Sequence, residues 1–129
     1  MLRTRPDDPM LRKLADRCLD AIHNYHYNPS FDLLNELLNH DLSRPNNDYA
    51  QLAYVGHGIE ILWMVMDEAI RRRDRKLFEL TAQRFKRHVE VAWDDVYGGV
   101  FQGIFDVDQN VVDLVKVLWA QEEVLIGTL

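Results

Sequence analysis

The sequence holds a single cysteine, Cys18, in 129 residues. No disulfide can form within such a chain, so a reducing, cytoplasmic setting is the expected one. It also has no run near the roughly 20 apolar residues that a bilayer span requires, and no membrane association is expected. Met1-Leu2-Arg3-Thr4-Arg5-Pro6-Asp7-Asp8 contains no apolar signal stretch. Basic residues are in the minority, 15 Lys and Arg against 21 Asp and Glu, for a net charge of −6. That balance argues against nucleic acid or an anionic membrane as partner. The one basic run, Arg71-Arg72-Arg73-Asp74-Arg75-Lys76, reads as a solvated junction between two helices.

What is present is a normal globular mixture, 47% hydrophobic and 28% charged. This is enough apolar material for one core, and residues 1–129 are read as a single domain. Leu11, Leu14, Ala15, Cys18, Leu19 and Ile22 recur at helical spacing, with Arg12, Lys13, Asp16, Arg17 and Asp20 on the other side. The spacing predicts an amphipathic helix over 9–26, capped by Asp8 and ended before Asn28-Pro29. Cys18 is expected within the core, as a small apolar residue and not as a nucleophile. Residues 30–48 fit either a short helix using Leu33, Leu34, Leu37 and Leu38 or an extended stretch that turns through 43–48.

A second helix is expected from about Tyr49 to Arg72, apolar nearly all round at Ile59-Glu60-Ile61-Leu62-Trp63-Met64-Val65-Met66 and therefore buried on most sides. A third, amphipathic, runs from Arg75 to Ala92 on the stripe Phe78, Ala82, Phe85, Val89 and Ala92. Gly98-Gly99 then breaks the chain, and a short β-hairpin is expected near 99–109. The last helix is expected from about 110 to 126, again apolar on most of its circumference, with Gly127 as its stop. Half-wet and buried helices thus alternate. Two concentric layers produce that order, whereas a simple four-helix bundle gives four similar amphipathic helices. The expected fold is all-α, a curved two-layered array such as part of an α/α toroid.

Two clusters can carry chemistry. Gly56-His57-Gly58-Ile59-Glu60 places His57 and Glu60 three apart, on one face at the start of a buried helix. A buried Glu60 needs a partner or a polar cavity, and a histidine beside a carboxylate is suited to proton transfer. The bland alternative is a histidine and a glutamate that satisfy each other. His57 and Glu60 are also spaced to share a metal ion, but no second matched pair exists and no metal is expected. His23 and His26 read as surface histidines, and His40 and His88 carry no signal. In the second cluster, Trp119 and Glu123 lie four apart on the last helix. Tryptophan with polar neighbours in a cavity suits a sugar ring. Its bland alternative is a core tryptophan with a solvated Glu123.

Three stretches together resemble the N-acylglucosamine 2-epimerase family, which includes cellobiose 2-epimerases and related aldose–ketose isomerases. Val55-Gly56-His57-Gly58-Ile59-Glu60-Ile61-Leu62-Trp63 resembles its Gly-His-x-Ile-Glu-x-x-Trp helix start. Val96-Tyr97-Gly98-Gly99-Val100-Phe101 resembles its Gly-Gly segment. Lys116-Val117-Leu118-Trp119-Ala120-Gln121-Glu122-Glu123 resembles its Lys-x-Trp-Trp-x-Gln-Ala-Glu helix, with Leu118 in place of the first tryptophan and Glu122 in place of the alanine. The resemblance implies an (α/α)6 barrel and cofactor-free proton transfer at C2 of a mono- or disaccharide in its open-chain form. It implies His57 as one of two catalytic histidines, Glu60 as the acid that supports it, and Trp119 and Glu123 as sugar contacts. The family's barrel is much longer than 129 residues. The chain is therefore expected to form about its middle third, to lack the second histidine, to be no working enzyme alone, and to self-associate as a homo-oligomer.

Overall fold

The structure is a computed structural model that describes residues 4–129. Asp8 opens the first helix, α1 (Pro9–Asp20), by accepting hydrogen bonds from the amides of Met10 and Leu11. Pro9 fits there because the first amides of a helix have no internal partner. The helix continues as a π-helical stretch over Ala21–His26 and ends there, before Asn28-Pro29 as expected. A minimal antiparallel pair follows, β1 (Tyr27–Asn28) with β2 (Leu33–Leu34). Residues 30–48 are thus extended and turning, not helical.

α2 (Val55–Arg72) and α3 (Arg75–Ala92) form an antiparallel pair. Their junction uses Arg73 in the left-handed region (φ 57°), and Asp74 caps α3 by accepting from the Leu77 amide. The basic run lies at this junction. Arg71 and Arg72 both reach Glu68 at 2.6 Å, and Arg72 also reaches Asp16 of α1. The Arg71 hydrogen bond, aided by Arg72 and opposed by burial, pulls the Glu68 carboxyl down to about 2.

α2 starts later than its apolar pattern suggests. Ala53 is held extended by a bridge to Ile104, so helix begins only after it. The expected hairpin forms from β3 (Gly103–Asp106) and β4 (Val111–Asp113), with a bulge between Ile104 and Asp106. Its second strand takes residues that helical spacing assigned to the last helix. β-branched Val111 and Val112 pair with β3 and fit a strand better than a helix start. α4 therefore spans only Leu118–Thr128.

Leu33, Val55, Ile59, Leu62, Phe85, Ala92, Val100 and Ala120 belong to one core, centred on α2. α3 and α4 both pack on α2, which gives the two-layered arrangement. Two expectations fail. Cys18 is exposed, because α1 buries none of its residues. α4 buries only Ala120, and Leu118 and Leu125 are 74% and 65% exposed. No helix among the described residues is long and apolar enough to cross a membrane.

Candidate functional site

At the first turn of α2 both neighbouring helices come close, and two glycines make that approach possible. A Cβ on Gly56 would stand 2.6 Å from Cη2 of Trp119, and one on Gly58 would stand 2.6 Å from Cδ2 of His88. Both distances are shorter than real Cβ contacts. Gly56 thus admits the tryptophan of α4, and Gly58 admits the histidine of α3.

His57 stands between the glycines and points outward. Its ring stacks against Trp119 at 5.4 Å between centroids and packs beside Tyr54 at 4.5 Å. Tyr54 and Trp119 are themselves nearly parallel, 6° apart. Nδ1 of His57 lies 3.0 Å from Oε1 of Glu36. A carboxylate accepts hydrogen bonds and does not donate them, so Nδ1 carries the proton. Nε2 has no partner among the described residues. His57, Glu36 and Tyr54 border a cavity of 350 Å³ that also touches Cys18, Ile22 and Ile61.

The segment that carries Glu36 is tied down at three consecutive amides. Leu34 N–H donates to Nε2 of His88 at 3.0 Å. Asn35 N–H donates to the His26 carbonyl, and Glu36 N–H donates to the Leu52 carbonyl, each at 2.8 Å. His26 closes its side of the loop by donating Nδ1–H to the Asn35 carbonyl. His88 is fully buried, donates Nδ1–H to the Arg84 carbonyl at 2.7 Å, and accepts at Nε2. Burial pushes it down to about 4, so it is neutral at physiological pH, and the two hydrogen bonds fix its tautomer.

Of the four residues singled out in the sequence, two touch directly. His57 and Trp119 stack across the α2–α4 seam. Glu123, one turn along α4, accepts the indole N–H of Trp63, a residue of α2. Glu60 lies on α2 between His57 and Trp63, half-buried, with no hydrogen-bond partner among the described residues. The histidine and glutamate of α2 do not pair with each other.

His23 and His26, expected at the surface, are half-buried and engaged. Nδ1 of His23 receives an Arg84 N–H at 2.6 Å, and burial together with that guanidinium pushes His23 down to about 4. Spacing gave no sign of Glu36, which lies in the stretch that propensity leaves open. His88 had a usable signal, since it falls beside Phe85 and Ala92 on the stripe α3 buries. Among the described residues no three His, Cys, Asp or Glu side chains converge as metal ligands do.

A protein-family model described as N-acylglucosamine 2-epimerase matches residues 5–129. A solved structure, a sugar epimerase from a ruminal bacterium, is similar over 90% of this chain with a TM-score of 0.67 and 22% identity. The chain spans 29% of that protein's length. No curated protein matches. The likeness shows the fold, a part of an (α/α)6 barrel with its helices in two layers.

Proposed function

The chain belongs to the N-acylglucosamine 2-epimerase family, and from that premise we propose that its first α2 turn is the proton-transfer end of a sugar-binding cavity. His57 is the base. Its Nε2 takes the C2 proton of an open-chain aldose, the C–H electrons form a C1–C2 double bond, and the carbonyl oxygen takes up the displaced pair as an enolate. Return of a proton to C2 completes an exchange, and return to the opposite face completes an epimerisation. Trp119 gives the sugar an apolar face, and Glu60 and Glu123 contact hydroxyls. The chemistry needs no cofactor.

One observation carries this reading: the ring of His57 rests against Trp119 and Tyr54 while Nε2 has no partner among the described residues. The buried His88, by contrast, has both ring nitrogens engaged within the protein.

Inversion needs two positioned proton donors, one for each face. Residues 1–129 are read as one partial barrel domain that supplies one of them in a soluble, cytoplasmic setting. The test is NMR-detected deuterium exchange at C2 of N-acetylmannosamine, mannose and cellobiose. Exchange without net inversion is expected for at least one sugar, lost in His57→Asn. Absence of exchange with all three removes the claim for this chain.

A second reading, a helical interaction module derived from the same fold, is favoured by the bare apolar side of α4. It predicts no exchange, with self-association retained.

A further inference from the structure

We infer that Glu36 is the positioning residue for His57, holding the imidazole proton on Nδ1 and so leaving Nε2 as the open lone pair. The inference rests on the reading of His57 as the proton-transfer group. It assigns the supporting role to a residue outside the helix that carries the histidine.

The geometry favours Glu36 over Glu60. Glu36 contacts Nδ1 at 3.0 Å, whereas Glu60 has no such contact. The position of Glu36 is built and not incidental. Its own amide and the two before it are each bonded to a different element: His88 of α3, the carbonyl of His26, and the carbonyl of Leu52. The ring it addresses is also constrained, since it packs against both Tyr54 and Trp119, which lie against each other. An exposed carboxylate on a free loop would have neither restraint.

The weight of the effect lies in orientation. The side chains are 51% and 29% exposed, so water screens their attraction and the ion pair itself contributes little to stability. Which nitrogen of a neutral imidazole keeps its proton is nevertheless decided by the hydrogen bond the other nitrogen lacks or makes. Here the acceptor sits at Nδ1. A base needs a bare lone pair aimed at its substrate, and this contact leaves Nε2 in that form. When Nε2 gains a proton, the same carboxylate faces the new positive charge.

The experiment is a two-bond ¹H–¹⁵N correlation spectrum of the labelled chain at alkaline pH, with His57 assigned by its loss in His57→Asn. In the native chain, Nδ1 of His57 is expected in the protonated range and Nε2 in the unprotonated range. Glu36→Leu is expected to move most of the population to the Nε2–H form. Glu36→Gln, which keeps an accepting oxygen, is expected to retain Nδ1–H. His26 and His88 both donate Nδ1–H to carbonyls, so their unchanged signals certify the fold. Should Glu36→Leu not fold, Glu36→Ser, too short to reach the ring, gives the same readout. An Nε2–H tautomer in the native chain overturns the inference. So does an unchanged His57 tautomer in a folded Glu36→Leu or Glu36→Ser chain. A correct tautomer without C2 exchange defeats the function of His57 and leaves the hold of Glu36 standing.

Discussion

α2 and α4 meet along one seam but live in different surroundings. α2 has α3 and α4 packed on it, and it buries residues from its first turn to its fourth, including Val55, Ile59, Leu62 and Ala69. α4 touches α2 through Trp119, Ala120 and Glu123, but presents Leu118, Leu125 and Ile126 to solvent. Both helices are apolar enough to demand cover. Only one has neighbours that supply it. Apolar composition sets the drive toward burial, and the number of packed partners decides how much of that drive is realised.

The sharpest way to break this contrast is to truncate a core residue of α2. Leu62→Ala, at a site with no exposure, is expected to cost about 3 kcal/mol, from lost transfer energy and the cavity left behind. Chemical denaturation measures it. A loss below about 1 kcal/mol would mean that α2 is no better packed than α4.

The glycine turn comes next. Ala gains about 1 kcal/mol over Gly in a helix interior, but at Gly58 its Cβ runs into the buried ring of His88. Two hydrogen bonds pin that ring, so it cannot give way. Overpacking of about 1–3 kcal/mol should win, and Gly58→Ala should lower the melting temperature. Gly56→Ala meets the rim of the half-buried Trp119. It should cost less stability but loosen the stack on His57, visible as a change in tryptophan fluorescence.

The third effect is pH dependence. Burial, with the Arg84 guanidinium beside His23, pushes His23 and His88 down to about 4 in the folded chain from the ordinary 6.5. The unfolded state therefore binds more protons between pH 6.5 and 4, so stability should fall as pH drops through that window. Above pH 6.5 these two groups contribute no further change. Denaturation midpoints at pH 5 and pH 7 test this, and His88→Gln should flatten the slope. An equal midpoint at both values would show that the two histidines are not shielded.

The smallest effect belongs to α4. Leu125→Ser, at an exposed position, should change the stability of one chain by less than about 0.5 kcal/mol. It should instead lower the associated mass seen in light scattering, if copies of the chain cover one another there. A native mass equal to one chain would remove that expectation.

Helical periodicity made α1 and α3 legible, because each has a wet face that marks its turns. α3 matches the expected Arg75–Ala92 span. The boundaries of α2 and α4 were less legible, since apolar residues just before them serve strand pairings with distant partners. Ala53 with Ile104 and Val111 and Val112 with β3 are tertiary contacts that local spacing does not encode. The same holds for the site. His57 and Trp119 stood out as polar and aromatic residues on apolar helices. Glu36 did not, because its role depends on a fold-back 21 residues long in sequence, through a stretch of no clear period. Burial of α4 was overread for the opposite reason, since its circumference is apolar but its cover is not in the chain's own packing.

The anchoring of Leu34, Asn35 and Glu36 to three separate parts of the molecule has a consequence for assembly. A half-formed chain in which any one of those moorings is slack would leave Glu36 adrift and His57 free to hold its proton on the wrong nitrogen. The contact between Glu36 and His57 would then form only once all three moorings are in place.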